Sequence, residues 1–227
     1  MKRSTLFTAA LAVALGLAPP SLPAVMDISL PAPAAEGVPR PPSPPEPPPT
    51  PEQLREALLF MLVAEAENPA RQCLDHSLRF NYGLMALRSA KADPERVRDS
   101  LLRGAAEGAE QEQRGREFVL WKTSSSPGIV AHSRFDWCLA QQGIESPLGD
   151  VGLRCFQLAG VPAIAQLRKL GGAGQADTLA HLQGIYGKTL PAKYLGDVAT
   201  AIYQAADDEQ SFGVQRALFA GCIKQVR

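Results

Sequence analysis

The chain has 227 residues, of which 45% are apolar, and its 23 Lys and Arg residues balance its 23 Asp and Glu residues. This apolar content is sufficient for a packed core, and zero net charge excludes a strongly basic nucleic-acid-binding protein and a highly charged disordered tail. Fourteen of the 20 prolines lie within the first 51 residues. The composition therefore divides the chain into a proline-rich front and a globular body.

Residues 1–24 have the pattern of a secretory signal peptide. Lys2 and Arg3 supply positive charge, and an uncharged run rich in Leu and Ala follows from Leu6 to Leu17. Such a run is too short to cross a bilayer but has the length of a signal-peptide hydrophobic region. We expect cleavage after Ala24, export to the periplasm or out of the cell, and no transmembrane segment in the mature protein. An uncleaved membrane anchor is the alternative.

Residues 25–50 follow as a proline-rich linker. Eleven of the 21 residues from Pro31 to Pro51 are proline, which excludes a helix interior or a sheet ladder. We expect a disordered, extended polyproline II spacer. A spacer that holds the body away from another surface is favoured over a segment that binds a partner.

The body, from residue 51 to residue 227, has the composition of an all-α protein. The chain has 34 Ala and 28 Leu against 12 Val, 7 Ile and 7 Thr, and Ala and Leu favour helices. Thr50 as N-cap, Pro51 and Gln53 predict the start of the first helix, which should stop at Asn68. Pro162 should break or kink the helix that contains it. Further helices are predicted over about 69–90, 94–102, 129–142, 151–170, 177–187, 193–206 and 208–226.

Two segments interrupt this helical pattern. Gly104, Gly108 and Gly115 weaken the stretch that follows the helix at 94–102. Residues 123–128 are predicted to form a loop. Residues 144–150 form the best boundary inside the body, so that we predict one helical unit over 51–143 and another over 144–227.

The spacing of landmarks indicates that the two units are a tandem repeat of three to four helices each. Cys73 and Cys138 are 65 positions apart, Cys155 and Cys222 are 67 apart, and a phenylalanine lies three residues before Cys138 and before Cys222. Other landmarks agree within a few positions: Leu87-Arg88 with Leu167-Arg168, Ala92-Asp93 with Ala176-Asp177, and Trp121 with Tyr203.

The repeat predicts the disulfides. Export favours oxidation of the four cysteines. If each unit keeps its own bond, the pairs are Cys73–Cys138 and Cys155–Cys222, each joining the first helix of a unit to its last. A bond between Cys138 and Cys155 across the boundary is the alternative.

A cysteine in the first helix, a later aromatic residue such as Tyr203, and a terminal Phe219-x-x-Cys222 resemble small exported all-helical bacterial proteins of unknown function. The resemblance covers residues 69–142 and 151–227 separately, and the first half has Trp121 in place of the tyrosine. It implies a helical fold with disulfide bonds and carries no catalytic residues.

The sequence offers no catalytic, cofactor-binding or metal-binding motif. It contains no HExxH, CxxC, G-x-S-x-G or P-loop pattern, so no catalytic residue, cofactor or metal ligand is assigned. Asp75-His76-Ser77 are neighbours on a helix and point about 100° apart, which prevents a catalytic relay. Gly171-Gly172-Ala173-Gly174 is interpreted as a helix stop.

Two larger sets receive structural interpretations. The glutamates at 107, 110, 112 and 117 alternate with Gln and Arg, which predicts a solvated helix face rather than a pair of catalytic carboxylates. Six aromatic residues are assigned to the core, with an aromatic ligand groove as the alternative: Trp121, Phe135, Trp137, Tyr186, Tyr194 and Tyr203.

The absence of these motifs favours a non-enzymatic module that binds another protein of the bacterial envelope. The alternative is an envelope hydrolase whose active site is assembled between the two helical units. A carboxylate with a raised pKa in a cleft would favour the enzyme, and an exposed apolar patch would favour the binding module. No nucleic-acid partner is expected.

Overall fold

The first helix of the body begins at the capping box that the sequence predicts. The computed structural model describes residues 48–63, 65–124 and 126–225, so the predicted signal peptide and most of the linker lie outside the described residues. The amide of Gln53 donates to Thr50 Oγ1 at 3.3 Å, and the amide of Thr50 donates to Gln53 Oε1 at 2.8 Å. These reciprocal bonds satisfy donors that a helix start leaves without an intrahelical partner.

The described residues form ten helices and no strand, which confirms the all-α prediction for this part of the chain. Five of these helices lie in each predicted unit, instead of the three to four expected. None of these helices combines the length and the apolar character needed to span a bilayer. In chain order they are α1 (Pro51–Val63), α2 (Pro69–Ser89), α3 (Pro94–Leu102), α4 (Ala109–Thr123), α5 (Pro127–Gln141), α6 (Gly149–Leu158), α7 (Gly160–Leu170), α8 (Gln175–Tyr186), α9 (Ala192–Gln204) and α10 (Asp208–Gln225).

Pro162 divides one predicted helix into α6 and α7. Helix α6 ends at Leu158. In an uninterrupted helix the amide of residue 162 would donate a hydrogen bond to the carbonyl of Leu158. Proline has no N–H to donate to that carbonyl, and its ring crowds it. The predicted break is therefore confirmed, and it lies at Ala159.

Helix α4 corrects the expectation of a weakened stretch, because it runs through Gly115 without interruption. A glycine inside a helix costs about 1 kcal/mol relative to alanine. The buried face of α4, formed by Gln113, Glu117 and Trp121, offsets this cost. Helix α5 also begins earlier than predicted, at Pro127, so that the loop before it is shorter.

Both predicted intra-unit disulfides are confirmed. Cys73 on α2 is bonded to Cys138 on α5, and Cys155 on α6 is bonded to Cys222 on α10. The Cα atoms are 5.6 Å apart in each pair, within the usual range. The alternative pair Cys138–Cys155 is excluded, since both residues have other partners.

The two predicted units share one hydrophobic core. A single cluster combines residues from α1, α2 and α5 with residues from α6 and α10. The rings of Phe135 and Phe219, which the repeat pattern pairs, lie 6.0 Å apart in an edge-to-face arrangement, and Phe156 contacts both. Smaller clusters lie under α3–α4 and under α8–α9. The segment 144–150 therefore connects two halves of a common core.

The two halves repeat one capping arrangement at an offset of 81 residues. Arg88 donates to the carbonyls of Trp121 and Ser124, at the end of α4. Lys169 donates to the carbonyls of Ile202 and Ala205, at the end of α9. By this geometry Arg88 corresponds to Lys169 rather than to Arg168, and Trp121 to Ile202 rather than to Tyr203, which corrects both alignments by one position.

Gly128 is predicted to tolerate substitution poorly. A Cβ atom there would lie 2.8 Å from the backbone nitrogen of Gln157. Backbone atoms cannot move aside cheaply, so Gly128→Ala should destabilise the fold by about 1–3 kcal/mol in urea unfolding. Gly115→Ala is the control: a Cβ there meets nothing within 4 Å, and the variant should gain up to about 1 kcal/mol. Equal behaviour of the two variants would contradict the close packing of α5 on α6.

Candidate functional site

The four predicted cysteine sites are all used in disulfides, and no free cysteine is present among the described residues. In the same residues, no group of three or more His, Cys, Asp or Glu side chains is placed to hold a metal ion. Gly171 and Gly172 stop α7 as predicted: Gly172 has φ 81°, and the amide of Ala173 donates back to the carbonyl of Arg168.

Glu117 corrects the prediction of a solvated face on α4. Its side chain is 0% exposed and pairs with Arg134 on α5, which is 1% exposed. Gln113 also donates to Glu117, at 3.1 Å. The remaining glutamates of the set, at 107, 110 and 112, are exposed or half-buried as expected. Gln113, Glu117 and Trp121 share one helix face, but two of the three are polar, so the sequence carried no hydrophobic signal for a buried stripe.

Arg134 is enclosed by aromatic rings as well as by its carboxylate partner. Its guanidinium carbon lies 4.6 Å from the ring centroid of Phe80 and 6.0 Å from that of Trp137. At the 81-residue offset Val198 stands for Glu117, and at the 84-residue offset of Phe135 and Phe219 Leu218 stands for Arg134, so the ion pair belongs to the first half alone. A buried, fully paired charge of this kind is a structural element and not a free reactive group.

The residues Asp75, His76 and Ser77 do not converge, as the sequence predicts. Asp75 accepts from Arg216 at 2.6 Å, Ser77 is buried, and His76 is exposed. Partial desolvation, together with the positive charges of Arg134 and Arg114, lowers the pKa of His76.

A second polar group, which the sequence analysis did not identify, lies on α5 and the loop that follows it. His132 Nε2 lies 3.3 Å from Asp136 Oδ2, outside hydrogen-bonding geometry, and Ser146 donates to Asp136 Oδ1 at 2.7 Å. The serine thus contacts the aspartate and not the imidazole. Because a nucleophilic serine requires a base within hydrogen-bond reach, this order of contacts does not form a catalytic relay.

His132 makes stability depend on pH. Its burial lowers its pKa against the opposing effect of Asp136 and Asp150. Below about pH 6.5 the imidazole of His132 therefore binds a proton more readily in the unfolded state than in the folded state. We expect the free energy of unfolding to fall as the pH drops below that value, and the fall to be smaller in His132→Gln. Urea unfolding at pH 7.5 and pH 5.5 measures both, and an equal fall in the two proteins would contradict the assignment.

One opening that involves both halves is a cleft of about 500 Å³ between α2, the start of α5, the α6–α7 turn and α8. Its apolar lining includes Met85, Ile164, Ile185 and Tyr186, and Ile185 is 50% exposed. We call this opening the cleft. The other lining residues are Arg88, Ser89, Ser126, Pro127, Gly128, Gln157 and Gly160.

Among the described residues, the lining of the cleft has no carboxylate, imidazole or thiol. Its polar groups are hydroxyls, one amide and one guanidinium, and burial raises the pKa of Tyr186, which keeps the phenol neutral. Gly160 leaves room in the cleft for the side chain of Met85, because a Cβ atom at position 160 would lie 2.9 Å from Met85 Cε. An apolar surface bordered by a few polar groups is typical of a binding site.

The predicted aromatic core is confirmed for only part of the set. Phe135 and Trp121 are buried, whereas the other four side chains are half-buried. Tyr186 lines the cleft, and the hydroxyl of Tyr203 donates to the carbonyl of Ala173. No sequence signal distinguished the buried rings from those at the surface, because all six follow helical spacing.

The spacing of the cysteine and aromatic residues remains the only basis for the resemblance to small exported helical proteins, which stays a prediction. Comparisons of the chain with protein-family models, with curated proteins and with solved structures give no match.

Proposed function

We propose that the protein is a non-enzymatic binding module that holds an apolar segment of a partner protein in the cleft. The observation that carries this proposal is the exposed apolar lining around Ile185 at the junction of the two halves. A cleft of about 500 Å³ has the size of sites that bury a few side chains of a ligand.

The alternative of a hydrolase with its active site between the two units is less well supported. The cleft is the place where such a site would lie, and its described lining supplies neither a general acid nor a general base. The two disulfides agree with an exported protein, because such bonds persist in oxidising compartments. We therefore infer a role in the bacterial envelope, with the proline-rich segment as spacer.

We further infer that the two halves arose by tandem duplication. Matching disulfides, matching phenylalanines and the matching caps of α4 and α9 support this inference. Duplication of a helical unit creates an interface between the copies, and in this chain the cleft lies at that interface. The binding surface would then be a product of the pairing of the halves.

Site-specific photocrosslinking tests the proposed function. Benzoyl-phenylalanine at position 185, or at the exposed position 89 of the cleft, should give an adduct of defined mass in the envelope of the source cells. With the crosslinker at position 89, Ile185→Glu should abolish capture of the same partner. Position 119 is the matched control, because Val119 is 58% exposed and lies outside the cleft. Equal crosslinking from positions 185 and 119, or capture that survives Ile185→Glu but not Val119→Glu, would contradict a role for the cleft.

A further inference from the structure

A second opening, which adjoins the cleft at Arg88, is lined by three cations. It has a volume of about 280 Å³, and Arg88, Lys91 and Lys122 line it together with Ala92, Pro94 and Trp121. We call it the basic pocket. Arg88 also lines the cleft, so the two openings border the same side chain.

The cations of the basic pocket have no carboxylate partner among the described residues. None of the ion pairs in that part of the chain includes Arg88, Lys91 or Lys122. The nearby acids are engaged elsewhere: Asp93 accepts from the amide of Glu95, and Glu95 pairs with Arg98. Three like charges around one opening repel each other, and a bound anion would offset that repulsion.

One cation of the basic pocket, Arg88, is held in place before any ligand arrives. The two hydrogen bonds from Arg88 to the end of α4 hold its guanidinium, which also lies 5.5 Å from the ring centroid of Trp121. Lys91 is fixed at φ 50° by the end of α2. A prepositioned site loses less conformational freedom when it binds.

The charges of Lys91 and Lys122 are not needed for the fold of this region. The second half repeats the capping arrangement, with Lys169 in the place of Arg88. At the same 81-residue offset, however, it has Gly172 instead of Lys91 and Tyr203 instead of Lys122. The same backbone geometry thus forms without these two cations, which makes a role in recognition the better explanation of their presence.

We propose that the partner segment carries one or more carboxylates next to its apolar residues, and that these carboxylates bind Arg88, Lys91 and Lys122 in the basic pocket. This inference rests on the proposed function, since the apolar residues occupy the cleft. Charge complementarity and the shared side chain of Arg88 select an acidic, partly apolar peptide as the occupant.

Selection from a random peptide library on the full chain, with both disulfides formed, tests this inference. We expect enrichment of peptides with Asp or Glu within a few positions of Leu, Ile or Phe. One enriched peptide is then synthesised, and its affinity should fall about tenfold in Lys91→Gln/Lys122→Gln, with a weaker dependence on salt. The matched control is Arg103→Gln/Lys224→Gln, which removes two exposed cations outside both openings and should bind like the original protein.

The outcomes separate this inference from the proposed function. Enrichment of apolar peptides without acids, or unchanged affinity in Lys91→Gln/Lys122→Gln, overturns the acidic partner and leaves the proposed function standing. No enrichment, or the same peptides enriched on Ile185→Glu, overturns both. Phosphatidylglycerol vesicles form a parallel arm: tighter binding to them than to the acidic peptide, lost in Lys91→Gln/Lys122→Gln, would assign the basic pocket to a lipid headgroup and overturn the inference.

Discussion

Arg134→Met is expected to lower the free energy of unfolding by about 3–5 kcal/mol, because it leaves the Glu117 carboxylate buried without its partner. Gln113 alone remains to donate to that carboxylate. The double variant Glu117→Leu/Arg134→Met removes both charges and should recover most of the loss, since apolar residues of similar size often replace a buried pair without cost. Urea unfolding monitored by circular dichroism measures each protein.

Arg98→Met is the control for this series. Arg98 pairs with Glu95 and Asp99 on the surface of α3, and its loss should change stability by at most about 0.5 kcal/mol. A double variant as unstable as Arg134→Met would mean that the charges themselves, and not the penalty of leaving one unpaired, stabilise the packing of α4 on α5.

Removal of either disulfide is expected to lower stability by about 4 kcal/mol, because each bond closes a loop of 65 or 67 residues. The pairs Cys73→Ser/Cys138→Ser and Cys155→Ser/Cys222→Ser should each still unfold in one transition, since both bonds border the shared core. Thermal unfolding followed by far-ultraviolet circular dichroism checks the number of transitions. Two separate transitions would show that the halves fold independently.

Cleavage within residues 144–150 tests the covalent connection of the halves. Under denaturing, non-reducing conditions, the cleaved chain should separate into two fragments, each with one intact disulfide. Mass spectrometry identifies them. A single linked species that separates only after reduction would contradict the two bonds within the halves.

The sequence was sufficient where a structure depends on neighbouring residues. The capping box at Thr50 and Gln53, the start of α3 behind Asp93 and the break before Pro162 all form within about four residues along the chain. The similar spacing of the two cysteine pairs also predicted the disulfides correctly.

The sequence was insufficient where the burial of a side chain depends on which helices pack together. Glu117 looks like its exposed neighbours on α4, and only the approach of α5 brings Arg134 against it from 17 residues away. Gly115 predicts a weakened helix, and only the tertiary structure shows the buried face of α4 that offsets its cost.

The amino-acid sequence by itself thus determined the all-helical class and several helix starts, and it favoured the cysteine pairing that the structure has. Tertiary structure alone decided that the halves share a core, that a charged pair is buried, and that the cleft and the basic pocket meet at Arg88. The physical reason is the sequence separation of the groups that interact. Hydrogen bonds at helix ends join residues a few positions apart, whereas openings and buried charges depend on side chains that are distant in sequence and meet only when the helices pack.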